Sequence, residues 1–187
     1  GTVYTAGFNV GFIGTGVYNL NGSGSIDMTN DFLLGKAGGA ADSGNGTLNM
    51  NTSGTFTTNY VRIADDSWGS TAGPSGTFNL SAGTVTSTYG FRVGGDATAN
   101  TGLATLNLSG GVIHSNGNFV IGDGNRAEGA FVMTGGVLNV TGSNGTEFWV
   151  GNSHNGGYSE VGNGSATASS GTLNVGSWLV IGRDGGQ

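Results

Sequence analysis

Apolar side chains recur along this chain in three short patterns that interleave and share one period. The first reads apolar, any residue, apolar, glycine: Phe8-Asn9-Val10-Gly11, Phe32-Leu33-Leu34-Gly35, Phe91-Arg92-Val93-Gly94, Phe119-Val120-Ile121-Gly122 and Phe148-Trp149-Val150-Gly151. Val61-Arg62-Ile63-Ala64 and Leu179-Val180-Ile181-Gly182 match it with small changes, so copies begin at residues 8, 32, 61, 91, 119, 148 and 179, a step of 24 to 31 residues. The second pattern opens with glycine and places an apolar residue two positions later: Gly1/Val3, Gly24/Ile26, Gly54/Phe56, Gly83/Val85, Gly111/Ile113, Gly136/Leu138 and Gly171/Leu173. The third brackets a polar residue between apolar ones, as Tyr18-Asn19-Leu20, Leu48-Asn49-Met50, Phe78-Asn79-Leu80 and Leu106-Asn107-Leu108. Phe131-Val132-Met133 continues it, and Ala166-Thr167-Ala168 is a degenerate last copy.

Within each copy apolar and polar residues alternate with period two, the signature of a half-buried strand, and no stretch carries the i, i+3, i+4, i+7 spacing of a helix. A unit of three short strands cannot bury its apolar side chains alone. Stacked on its copies it can, because each strand then pairs with its equivalent above and below at about 4.8 Å. The sequence therefore predicts an all-β fold: one domain over residues 1–187, a parallel three-sided β-helix (β-solenoid) of about seven coils, about 33 Å tall at that spacing. Phe8, Phe32, Phe91, Phe119 and Phe148 should stack inside one wall, and Val3, Ile26, Phe56, Val85, Ile113, Leu138 and Leu173 inside another. Neither end shows a cap pattern, so both ends are expected to be uncapped, stacking head to tail or continuing as a longer solenoid.

Composition alone would mislead. With 41 glycines, one proline and no cysteine among 187 residues, the chain resembles a disordered linker until the period is seen. Its formal net charge is −6 with five Lys and Arg, which gives no basic footprint for nucleic acid, and no run approaches the roughly 18 apolar residues of a membrane span. Low charge suits a stack, where like charges one above another repel.

The units Gly46–Asp66, Thr105–Gly124 and Thr172–Gly186 resemble the repeats of type V secretion (autotransporter) passengers and of PEP-CTERM-associated exported proteins. The resemblance runs over essentially the whole chain. It implies a β-solenoid and an exported, surface or fibre-forming role.

Acids and bases converge at one place. Arg62 and Arg92 are vertical neighbours in the outward position of the first pattern, with Asp66 and Asp96 at the following turn and Asp65 and Asp123 close by. A polysaccharide-active enzyme would need such a cluster of carboxylates on one outer face, and calcium would need such oxygens. Arg–Asp pairs that solvate a flank and acids that cap turns account for it more simply. His114 and His154 lie at different turn phases, which disfavours a transition-metal site, and no metal or other cofactor is expected. Asn19, Asn49, Asn79 and Asn107 form an outward column suited to a side-chain amide ladder; Asn79 and Asn107 also sit in Asn-x-Ser triplets.

The outward position of the first pattern turns apolar late in the chain, at Val120, Trp149 and Val180. Three stacked apolar residues predict a lateral protein interface, or a sugar-stacking surface around Trp149, unless the segment Asn152–Gly164 with Tyr158 folds over them. The expected function is that of a non-enzymatic extracellular or cell-surface structural protein: a stalk, or a filament subunit assembling with copies of itself by coil stacking. A glycan-binding adhesin is the first alternative and a polysaccharide-active enzyme the second.

Overall fold

The structure, a computed structural model, describes residues 1–39, 42–65, 73–95, 102–124, 127–152 and 162–183. Its strands are β1 (Thr2–Thr5), β2 (Phe8–Phe12), β3 (Thr15–Gly22), β4 (Ser25–Met28), β5 (Phe32–Lys36) and β6 (Asn45–Asp65). They continue as β7 (Ser75–Val93), β8 (Leu103–Leu108), β9 (Val112–Asp123), β10 (Glu128–Asn152), β11 (Asn163–Val175) and β12 (Leu179–Arg183). All pairings are parallel. The long strands β6, β7 and β10 bend round corners of the coil and contribute to more than one wall. Among the described residues there is no helix, and hence none long and apolar enough to cross a membrane.

The register builds the three walls that the repeats predict. On the first wall Phe8, Phe32, Val61, Phe91, Phe119, Phe148 and Leu179 pair in succession. On the second, Val3, Ile26, Phe56, Val85, Ile113, Leu138 and Leu173 do so. Tyr18, Leu48, Phe78, Leu106, Phe131 and Ala166 complete the third. The fold is thus a parallel β-solenoid, as the sequence indicates, but the count of turns is lower. About five turns are fully formed, against the nearly seven expected, because the first and last rungs lack a neighbour on one side.

Inside, the core is continuous from Val10 to Val150, and aromatic rings make its spine. Phe91, Phe119 and Phe148 stack at 5.2 and 5.3 Å with interplanar angles of 22° and 5°, and Phe131 meets Phe119 edge-on at 5.4 Å. Near the other end Phe32 meets Phe56 edge-on at 5.0 Å. Register shifts fall between walls, for instance between Asn51 and Thr55 and between Val140 and Asn144. Bulged corners absorb the variable repeat length without disturbing the walls.

The corner after the first wall explains its glycine. Gly35 has φ +70°, and a Cβ there would fall on the backbone carbonyl of Ser75, on the third-wall strand one turn up. One copy breaks the rule: Ala64 occupies the same corner in the left-handed region, at φ 55°. A second corner is closed by buried hydroxyls. Thr58 Oγ1 donates to the Asn30 carbonyl at 2.7 Å, Ser115 Oγ to the Gly117 carbonyl at 2.7 Å, and Ser87 Oγ accepts from Gly90 N–H at 2.9 Å. These side chains sit in the inward column that holds Met28 and Val140 in other turns. They satisfy turn backbone that would otherwise be buried without partners.

Candidate functional site

The outward face of the first wall carries a group of charged and aromatic side chains, because strand alternation turns every second side chain away from the core. The Arg62 guanidinium donates through Nε to Asp31 Oδ2 at 3.0 Å and lies 5.0 Å from the centre of the Tyr60 ring. Tyr60 in turn stands 5.5 Å from Tyr89 on the next turn, with their planes 33° apart. One turn higher, Arg92 Nε lies 3.5 Å from Asp123 Oδ2, and Asp123 Oδ1 accepts from Asn152 Nδ2 at 2.5 Å. Asp123 and Asn152 are both buried. Both oxygens of this carboxylate are therefore engaged by neighbouring turns, and it acts as a cross-turn fastener.

Part of the charged cluster expected from sequence lies within the described residues. There Arg62 and Arg92 occupy paired register positions, with ion pairs to Asp31 and Asp123. Asp66 and Asp96 lie outside the described residues, and Asp65 pairs through its backbone with Lys36. Asp31 carries no repeat signal of its own: it stands immediately before Phe32, a position filled by Tyr60, Gly90, Asn118 and Glu147 in later copies, so no residue type recurs there.

Val120, Trp149 and Val180 are aligned in register, as their spacing requires. They do not form a three-residue exposed patch. Val120 is only 4% exposed, flanked in register by Arg92 and Trp149, while Trp149 and Val180 are half-buried. Trp149 is held by its indole Nε1, which donates to Glu147 Oε2 at 2.6 Å. Tyr158 lies outside the described residues.

Between these groups the surface sinks into a groove of about 220 Å³. Its lining includes Tyr60, Tyr89, Asn118, Asn144 and Trp149, with Val120, Arg92 and Asp123. It crosses four successive turns, in β6, β7, β9 and β10. Repeat reading alone did not find it, since Tyr60, Tyr89, Asn118 and Asn144 lie at corners outside the three patterns.

The amide column is present as a ladder. Asn49 donates to Asn19, Asn79 to Asn49 and Asn107 to Asn79, each through Nδ2 to Oδ1 at 2.8 Å. A second, shorter ladder on the second wall joins Asn174 to Asn139 at 2.7 Å and Asn139 to His114 at 3.3 Å. That contact accounts for His114; His154 lies outside the described residues. Among the described residues no three His, Asp or Glu side chains gather as metal ligands would.

Comparison with protein-family models, with curated proteins and with solved structures gives no match to this chain.

Proposed function

We propose that this chain is a non-enzymatic, extracellular structural protein: a β-solenoid stalk or a head-to-tail filament subunit, of the autotransporter-passenger and PEP-CTERM-associated kind that its repeats resemble. The observation that carries the reading is the unbroken register of the three walls, in which equivalent residues pair from the first rung to the last. A stack of this kind resists bending and stretching along its whole length, because each turn is tied to the next by backbone bonds, amide ladders and core rings.

Two further features support it. Two described acids of the outer face, Asp31 and Asp123, are committed to cross-turn contacts with arginine. An acidic, lysine-poor composition rich in glycine supports placement outside the cell.

Negative-stain electron microscopy of the native material, with the intact mass of its chain, tests this. Uniform fibres built from chains near 18.5 kDa are the filament outcome, and rods built from a heavier chain are the stalk outcome. Isolated 18.5 kDa particles that neither lengthen nor associate at any concentration would overturn the reading.

A further inference from the structure

The groove on the flank of the first wall has chemistry that a plain rod does not require. We propose that it binds one ring of a neutral polysaccharide whose chain runs along the solenoid axis. This does not rest on the structural role above, and either can fail while the other stands.

Its aromatic groups are placed as contact surfaces. Tyr60 and Tyr89 lie in a tilted stack at 5.5 Å, and Trp149 is fixed in orientation by Glu147. A pyranose ring carries a face of C–H bonds, slightly positive, which matches the negative face of an aromatic ring. Tyr89 is 45% exposed although its ring is large and apolar, and such a ring on a flank gains by being covered.

Beside Arg92 and Asp123, the groove holds uncharged hydrogen-bonding groups with capacity to spare. Asn118 Oδ1 accepts from Glu147 N–H at 3.2 Å, which leaves the Asn118 amide N–H pair without a partner among the described residues. Asn144 Nδ2 donates to the Thr88 carbonyl at 3.2 Å, which leaves its Oδ1 as an acceptor. The hydroxyls of Tyr60 and Tyr89 are likewise without protein partners among the described residues. The groove thus offers donors at Asn118, an acceptor at Asn144 and two phenols able to do either. Sugar hydroxyls both donate and accept, so this mixture suits them.

Charge and size narrow the class. Arg92 is countered by Asp123, and Glu147 beside Trp149 adds a negative group, so no net positive charge awaits a uronate or sulfate. A volume of about 220 Å³ falls below the roughly 300–1,000 Å³ typical of sites that enclose a drug-sized molecule. One ring fits, and neighbouring rings of a longer chain would lie along the open direction of the groove.

Affinity electrophoresis tests this, using the purified chain in native gels cast with a neutral β-glucan, a neutral xylan, a galactomannan or polygalacturonate. Retardation by at least one neutral polymer is expected, with none by polygalacturonate. Tyr89→Ala and Asn144→Ala, both at exposed positions, should each weaken the retarding interaction about tenfold, or ~1.4 kcal/mol. Circular dichroism checks that the variants stay folded; if Tyr89→Ala does not, Asn144→Ala decides alone. Absence of retardation by every neutral polymer, retardation by polygalacturonate alone, or variants that migrate like the parent would each overturn the proposal. None of these outcomes bears on whether the native material forms fibres.

Discussion

Phe119→Ala attacks the solenoid where its core is most continuous. Phe119 is fully buried, with Phe91 5.2 Å below it, Phe148 5.3 Å above it and Phe131 at 5.4 Å across the lumen. Truncating a buried phenylalanine costs about 3–5 kcal/mol, the spread reflecting how far the site can collapse. Here collapse is blocked, because backbone ladders on both sides hold adjacent turns near 4.8 Å. The loss of three ring pairs, each worth about 0.5–1.5 kcal/mol beyond burial, is contained in that range and pushes this site toward its top. The expected cost is therefore about 4–5 kcal/mol, at the upper end of the range. Phe8→Ala is the internal control: Phe8 is half-buried in the first rung and, among the described aromatic rings, meets Tyr18 and Phe32, so about 1–2 kcal/mol is expected. Guanidinium unfolding followed by circular dichroism gives the two costs, and hydrogen exchange locates them. A nearest-neighbour stack should open around β9 and β10 in Phe119→Ala while β4 and β5 keep their protection. A cost below about 2 kcal/mol for Phe119→Ala, or one no larger than that of Phe8→Ala, would refute the claim that fixed ladders make the central core uncollapsible.

Backbone, hydroxyl and amide features give three more tests. Gly35→Ala combines a left-handed φ with a clash against the Ser75 carbonyl and should cost about 3 kcal/mol or more, whereas Ala64→Gly should stay within about 1 kcal/mol, relieved strain offsetting the lost buried methyl. Thermal melts of the pair check this, and equal effects would show that the corner yields. Ser87→Ala removes the acceptor of the buried Gly90 N–H and should cost about 1–3 kcal/mol in urea unfolding, against near-neutrality if water takes its place. Asn79→Asp should destabilise more than Asn79→Ala in melts at neutral pH, because it sets a carboxylate oxygen against Asn49 Oδ1 where an amide nitrogen now donates; the reverse order would mean that the ladder bonds contribute nothing.

The walls were legible because their information is repeated. An inward side chain is specified by its own alternation and again by the copy one period away, so even Ala166-Thr167-Ala168 could be assigned to the third wall, where Ala166 does pair with Phe131. The corners carry no such redundancy. Asp31, Tyr60 and Asn118 each stand immediately before a first-wall copy, but no residue type recurs at that position, and Tyr89 and Asn144 lie in segments whose length varies from turn to turn, so no period predicts which of them meet. Alternation and residue type also conflict at two places. Val120 is outward by alternation and therefore expected to be wet, yet it is buried between its register neighbours; Thr58, Ser87 and Ser115 are polar, yet alternation from Phe56, Val85 and Ile113 turns them inward, where they close the turn.

The same asymmetry bears on where specificity can reside in such a fold. Wall positions are constrained above and below by identical neighbours, so a change in one turn is felt in the next, as the stacked rings and amide ladders illustrate. Corner residues also touch neighbouring turns, as Asn144 touches Thr88, but their partners differ from turn to turn instead of repeating. A repeat protein can therefore keep its stack while altering a groove such as that between Tyr60 and Trp149, because the groove is assembled from corners of four turns over a buried floor. On this argument substitutions at Tyr89 or Asn144 should leave stability nearly unchanged while those at Phe91 or Phe119, on the same flank but facing inward, should not. A large stability loss at the two groove positions would mean that corners and walls are one cooperative unit, and that the division of labour between stack and surface does not exist.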